Sequence, residues 1–213
     1  MRKPSAGTSL RGARFVCRPL TPARWADLER LFGPRGACAG CWCMWPRLAA
    51  AEFKAGAGAG NKRRLARLVR EGKRPGLIGY VAGEPVAWCA FAPREAYPRI
   101  ESSRNLARVD DSPVWSVPCF FVAKGHRKRG LTVRLLREIA RHAKARGATI
   151  LEGYPVEPKG GKTADVFAWT GLASAFRAAG FTEVARRSAT RPIMRRMLRG
   201  RSSRAARGKR ESA

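Results

Sequence analysis

The stretch Arg127-Lys128-Arg129-Gly130-Leu131-Thr132 sets cationic side chains directly before a glycine and an amphipathic run. That combination suits a phosphorylated anion. If a helix starts here, its first amides lack internal partners and its dipole adds positive charge at the same point. Gly130 has no side chain to keep a ligand off the backbone. Arg127, Lys128 and Arg129 would steer a diphosphate in, and the amides of Gly130, Leu131 and Thr132 would grip it. Glu152 is a second candidate, an isolated acid in the apolar run Ala148–Val156. A carboxylate in such surroundings suits proton acceptance; the other reading is a pair with one of the many arginines. Cys38-x-x-Cys41-x-Cys43 offers soft metal ligands, but no second knuckle follows and only His126, His142 or Cys119 could complete a set. Packing as small apolar side chains is preferred, and no metal is expected. Between and after these thiols, Trp42 and Trp45 offer flat apolar surface, and Arg47 could pair an acidic group.

The elements that must position these groups follow from periodicity. Val114–Ala123 is rich in β-branched and aromatic types and reads as a buried strand. Leu131, Leu135, Leu136, Ile139, Ala140 and Ala143 recur at helical spacing, with charges on the opposite face and Gly147 placed to stop the helix. Ala148–Val156 is a further strand, so strand, helix and strand imply a parallel pair. Upstream, Arg14–Leu20 predicts a first strand. Thr21-Pro22 then opens a helix that Gly33-Pro34 ends. Lys54–Gly60 reads as a mobile Ala/Gly-rich segment, and Asn61 as the cap of a basic helix reaching Glu71. Leu77–Ala82 and Val86–Phe91 flank the turn Gly83-Glu84-Pro85 as a hairpin. Pro93–Asp111 lacks periodicity and reads as an irregular loop. Pro158–Lys162 reads as another loop, Thr163–Ala179 as a helix broken near Gly171, and Phe181–Met197 as one or two closing strands.

The hexapeptide Arg127–Thr132 resembles the acyl-CoA signature Gln/Arg-x-x-Gly-x-Gly/Ala of the GNAT N-acetyltransferase superfamily, with Thr132 at the usually small last position. Phe176-Arg177-Ala178-Ala179-Gly180-Phe181 resembles the second landmark of that superfamily, an aromatic followed by Gly-Phe. Gly40–Trp45 is similar to a segment in one of its branches, which names no substrate. The resemblance implies an α/β (α+β) fold: a mixed, mostly antiparallel sheet, with a parallel pair splayed for acyl-CoA and helices on both faces. It implies acetyl-CoA as acyl donor, held by the backbone of Phe120, Phe121 and Val122 and by the Arg127–Thr132 turn. The acceptor is then a primary amine of a small molecule or protein, attacking the thioester directly, with Trp42, Trp45 and Arg47 on one wall. In many relatives a tyrosine protonates the departing thiolate; here Phe176 holds that place, and Trp169 stands where an asparagine is usual. Tyr154 or Ser174 would take over, or the thiolate leaves through water, or activity is lost; Glu152 is the expected base.

Composition sets the remaining bounds. A chain of 213 residues with 45% hydrophobic content suits one domain, 14–197, between a basic leader at 1–13 and a basic tail at 198–213. The net charge is +29, and the tails do not explain it. Residues 1–14 and 195–213 hold 12 of the 44 Lys/Arg and 1 of the 15 Asp/Glu, leaving 32 against 14 in the body. So basic a chain should attract polyanions, and the charge beyond what coenzyme A needs points to an acidic acceptor, to non-specific nucleic acid contact, or to nothing specific. It also raises the alternative of a catalytically degenerate module that binds nucleic acid or the ribosome. No apolar run is long enough to span a membrane. Cysteines without a secretory signal point to reduced thiols and the cytoplasm. The resemblance also allows a homodimer.

Overall fold

A computed structural model describes residues 14–158 and 165–198. The leader at 1–13, most of the expected Pro158–Lys162 loop, Thr163 and the tail from 199 lie outside them. The elements are β1 (Phe15–Pro19), α1 (Trp25–Phe32), α2 (Ala50–Ala55), α3 (Ala59–Arg70), β2 (Gly76–Val81), β3 (Glu84–Pro93), α4 (Pro98–Glu101), β4 (Trp115–Val122), α5 (Leu131–Lys144), β5 (Ile150–Gly153), α6 (Ala173–Ala178), β6 (Thr182–Arg186) and β7 (Pro192–Met197). The strands form one sheet in the order β1-β2-β3-β4-β5-β7-β6. All neighbours are antiparallel except β4 and β5. The mixed sheet with a parallel pair agrees with the expected fold class. No helix among the described residues is long and apolar enough to cross a membrane.

Both faces of the sheet are covered, which is why its central strands are apolar at nearly every position. Successive side chains alternate between the faces. Leu77, Cys89 and Phe91 pack with Leu135, Leu136, Ile139 and Ala143 of α5. Ile78, Trp88 and Ala90 pack instead with Leu28 and Phe32 of α1, Leu65 and Val69 of α3, and Trp42 and Met44 of the connecting segment. The β2–β3 hairpin turns through Ala82 and Gly83, both at positive φ (49° and 81°), as the twist of a tight antiparallel turn requires.

The parting of β4 from β5 is written in residues that cannot donate to a ladder. Only Trp115↔Leu151, Ser116↔Glu152 and Val117↔Gly153 pair. Pro118 follows on β4, and Pro155 lies just beyond the end of β5. Pro118 is tolerated because the β3–β4 register shifts there: Ala90 faces Cys119 and Ala92 faces Ser116, so Phe91 opposes both Val117 and Pro118. Val156 then leaves the sheet and bridges Leu172.

Several local expectations are corrected. Thr21 makes no side-chain cap; a 3-10 turn at Pro22–Arg24 leads into α1. Lys54–Gly60 is not a structureless stretch, since α2 and the start of α3 occupy it. Asn61 lies inside α3, where its amide donates to Gly40 O (3.2 Å) and Phe53 O (3.3 Å), tying the cysteine-tryptophan segment to the helices. Pro93–Asp111 contains α4 and two 3-10 turns, at Arg94–Ala96 and Arg104–Leu106.

Candidate functional site

At the C-terminal end of β4 the chain makes a 3-10 turn (Lys124–His126), passes Lys128 at φ 58° and Gly130 at φ 70°, and enters α5. Gly130 is needed for its left-handed backbone, and a side chain built on it would meet nothing within 4 Å. Arg127, Lys128, Arg129 and Gly130 are exposed. The amides of Lys128 through Val133 donate to no acceptor among the described residues. Helix dipole, open backbone and fixed cations therefore converge, as a phosphate site requires. His126 lies in the same turn, its pKa lowered by burial and then by Arg129, so it adds no charge there at neutral pH.

Below this turn, the edge of β4 past Val117 faces the gap. The amide of Ala123 donates to Val86 O on the β3 side (2.9 Å). By strand alternation, Phe121 also turns its backbone to β3, while Phe120 and Val122 present theirs to the gap. Arg127 Nε reaches Val122 O at 3.1 Å, at the upper end of that edge. The floor is Phe176, fully buried, with ring centroids 5.9 Å from Phe120 and 4.9 Å from Phe181. Gly153 and Gly171 make room for that ring, since a Cβ at either would come within 2.1 or 2.8 Å of it. Ser174 is exposed in the first turn of α6, next to Ala173, whose amide donates to Val156 O.

Glu152 is the counter-ion of two buried guanidinium groups. Its Oε1 accepts from Arg94 Nη1 and from the Tyr154 hydroxyl, both at 2.7 Å, and its Oε2 accepts from Arg195 Nε at 2.7 Å. Ser116 Oγ and Tyr154 Oη are 2.7 Å apart; since the Tyr154 proton goes to Glu152, Ser116 is the donor. Burial and then the Glu152 charge raise the Tyr154 pKa well above its usual value. Arg94, 1% exposed, also donates to Glu101 Oε1 (2.5 Å) and Leu106 O (2.6 Å). Burial opposes its charge, but Tyr154, Glu152 and Glu101 together raise its pKa. Arg195 Nη1 reaches Asp110 Oδ2 at 2.6 Å, and Arg187 donates to Ala107 O (2.7 Å) and Arg108 O (3.0 Å). The excursion between β3 and β4 is thus clamped to β5 and β7. With its oxygens engaged this way, Glu152 is arranged to hold the wall rather than to collect a proton, and Tyr154 has spent its proton on Glu152.

The expected acceptor residues separate. Trp42 is buried, stacked on Trp25 at 6.0 Å and edge-on to Phe32 at 5.6 Å, so it is core. Trp45 is half-buried and meets Trp169 edge-on at 4.7 Å. Trp169 belongs to the apolar cluster that includes Cys119 and Phe121 of β4, next to the gap. Arg47 lies 4.6 Å over the Tyr97 ring. The cysteines also part company: Cys38 is exposed, while Cys43 turns inward, 2.8 Å from Cys119 Sγ and accepting from Trp88 Nε1 at 2.9 Å. No cluster of three metal-binding side chains occurs among the described residues. The Cys43 hydrogen bond and then burial raise the Cys119 pKa well above normal, which makes it a poor nucleophile. Sequence reasoning missed Arg94, Tyr97, Arg99 and Arg195. A lone arginine directly after an apolar strand was the only available sign of Arg94.

The sequence model of the acetyltransferase (GNAT) family matches residues 38–158, more than half of the chain. No functionally curated protein matches. Among solved structures, a GNAT-family acetyltransferase from Streptococcus agalactiae 2603 is similar, with TM-score 0.52 and 12% identity over 86% of this chain and 95% of that one. So is yncA from Salmonella typhimurium, solved with its cofactor acetyl-CoA (TM-score 0.50, 14% identity, 89% and 96% covered). PaiA N-acetyltransferase from Thermoplasma acidophilum, in complex with coenzyme A, has TM-score 0.50 and 10% identity over 86% and 99% of the two chains. At these identities the likeness is one of fold.

Proposed function

Since the chain belongs to the acetyltransferase (GNAT) family, we propose that it transfers acetyl from acetyl-CoA to a primary amine of a small molecule or protein by direct attack. The observation that carries this reading is the gap between β4 and β5, which opens past Val117 and Gly153 with the uncovered Gly130 turn at its mouth. Acetyl-CoA supplies an activated thioester. The amides of Gly130, Leu131 and Thr132 hold its diphosphate, with Arg127, Lys128 and Arg129 neutralising it. The gap-facing N–H and C=O groups of Phe120 and Val122 take the pantetheine arm as an added strand would be taken. Trp45 and Arg47 stand on the acceptor side. Positioning of the two reactants is the main contribution of the protein. As the amine nitrogen bonds to the acetyl carbon, the thioester C–S bond breaks. The proton the nitrogen loses passes through solvent and the Ser174 hydroxyl to the departing thiolate, because Phe176 has no hydroxyl and the proton of Tyr154 is committed.

Titration calorimetry with acetyl-CoA tests the reading. Gly130→Asp places a carboxylate against the diphosphate and should weaken binding by at least about 100-fold, the scale of losing charge-assisted bonds and adding repulsion. Equal affinity in wild type and variant would remove the proposed site.

A second basic surface lies on α3. Arg63, Arg64, Arg67 and Arg70 of α3 line a groove of about 420 Å³ with Ala55, Gly56 and Gly60. This face is where we place the non-specific nucleic acid contact. It is compatible with catalysis at the other site. Cytoplasmic location and a homodimer complete the reading, the first resting on the free cysteines.

A further inference from the structure

The segment after Met44 and helix α4 pack together, and Arg99 is the arginine among the described residues with a buried guanidinium nitrogen that meets no partner. Carboxylates meet Arg64, Arg67, Arg94, Arg108, Arg177, Arg186 and Arg195 at ion-pair distance. Arg47 and Arg99 have no carboxylate partner among the described residues. Arg47 reaches only neutral oxygens at long range, Ala96 O at 3.5 Å and Tyr97 Oη at 3.3 Å. Arg99 donates through Nε to Leu48 O (3.2 Å), and its Nη2 is buried without any hydrogen-bond partner. A buried guanidinium donor left unmet is costly, so it marks a place where an acceptor belongs.

The surroundings fix both cations. The guanidinium of Arg99 stacks 4.7 Å over Trp45 and 5.6 Å from Phe53, and that of Arg47 over Tyr97. Such stacking orients the planar guanidinium groups and holds them in place. Trp45 in turn abuts Trp169, which packs with the β4 side chains beside the gap. The cations are therefore connected to the reaction centre by two aromatic rings. The acids nearest in sequence are already engaged: Glu52 with Arg64, Glu95 with Arg108, and Glu101 with Arg94 and Arg108.

We infer that Arg99 and Arg47, with Trp45 and Trp169, form a subsite for a carboxylate carried by the acceptor, so that the substrate is an amine bearing a carboxylate. This inference rests on the transferase reading and narrows it. A charge-assisted bond to a half-buried guanidinium corresponds to about a 10- to 100-fold preference for the carboxylate over a neutral isostere.

The test pairs each α-amino acid, and each ω-amino acid up to six carbons, with its primary carboxamide. Both members are titrated against the full chain in the presence of coenzyme A, and turnover with acetyl-CoA is followed in parallel. At least one carboxylate should bind 10-fold or more tightly than its amide. Arg99→Gln should abolish that difference by raising KM for the carboxylate alone, Arg99→Lys should restore part of it, and the exposed Arg104→Gln should leave it intact. Acetyl-CoA titration reports on the donor site separately: if acetyl-CoA fails to bind, the transferase reading fails while the carboxylate comparison still stands. Equal affinity for carboxylate and carboxamide across the whole panel overturns the inference, and needs no variant to fold. So does an Arg99→Gln variant that weakens both members equally.

Discussion

Replacing Glu152 by glutamine separates the two roles its position invites. The carboxylate, fully buried, accepts from Arg94, Tyr154 and Arg195 at 2.7 Å each. Removing one partner of a buried ion pair costs about 3–5 kcal/mol, because the charge left behind has lost its solvent and its mate. Two features reduce that figure. Arg94 keeps Glu101 and Arg195 keeps Asp110, and the glutamine carbonyl can still accept one bond. We therefore expect a loss of about 2–4 kcal/mol in urea unfolding. For a chain of this size that is a fall of about 5–15 °C in Tm. Arg94→Met in a double-mutant cycle should show strong coupling to Glu152→Gln, as residues in one network do. At a temperature where the variant is folded, kcat should stay within about tenfold of wild type, well short of the 10²–10⁴ expected from deleting a general base. A Glu152→Gln protein of wild-type stability with kcat lowered a thousandfold would refute the counter-ion assignment and make Glu152 the base.

Other consequences follow from single contacts. Gly153→Ala drives a methyl to within 2.1 Å of the Phe176 ring and should cost about 1–3 kcal/mol of overpacking, most of it recovered in the Gly153→Ala/Phe176→Leu double variant; additive losses in denaturant melts would contradict this packing. Burial pushes the thiols of Cys17 and Cys41 up to about 12 and about 11, so at pH 8 both stay protonated. Iodoacetamide at that pH should label exposed Cys38 first, and mass spectra with several fast labels on native protein would count against the buried placements. Single-stranded RNA affinity should fall steeply with salt, and Arg63→Glu/Arg70→Glu should flatten the slope; a slope unchanged by that variant would move the polyanion contact off α3.

The parts of the fold that could be read from sequence were those whose cause is local. The Leu131–Lys144 helix announces itself by spacing, the β2–β3 hairpin by its turn residues, and the turn into α5 by Gly130. The residues proposed for the donor site are nearly contiguous in the chain, so their chemistry and their position come into view together. The acceptor side is different. Arg94 meets Glu152 across 58 residues and Arg195 meets Asp110 across 85. In a chain with 44 Lys/Arg, residue type gives no hint of which arginines turn inward. Asn61 misled for a related reason: asparagine suits a helix cap, but its amide is worth more joining Gly40 to Phe53 than closing its own helix. Trp42 and Trp45 are alike in sequence, and only the packing of α1 decides that Trp42 belongs to the core and Trp45 to the wall.

The clamp and the gap depend on each other. A parallel strand pair that stops after three rungs leaves backbone groups without partners, and the sheet would close over them unless something holds the far strand away. Pro118 and Pro155 remove donors that would let the ladder continue. The Phe176 ring, seated against Gly153 and Gly171, props the lower end open. What then fixes β5 is lateral: Glu152, at the middle of the three paired rungs, is held from one side by Arg94, just after β3, and from the other by Arg195 on β7. The same two arginines secure the excursion that carries Arg99, through Glu101, Leu106 and Asp110. One buried carboxylate therefore holds both the gap beside β4 and the excursion that carries Arg99. If these are the proposed donor and acceptor sites, a change there should alter acetyl-CoA affinity and amine selectivity together.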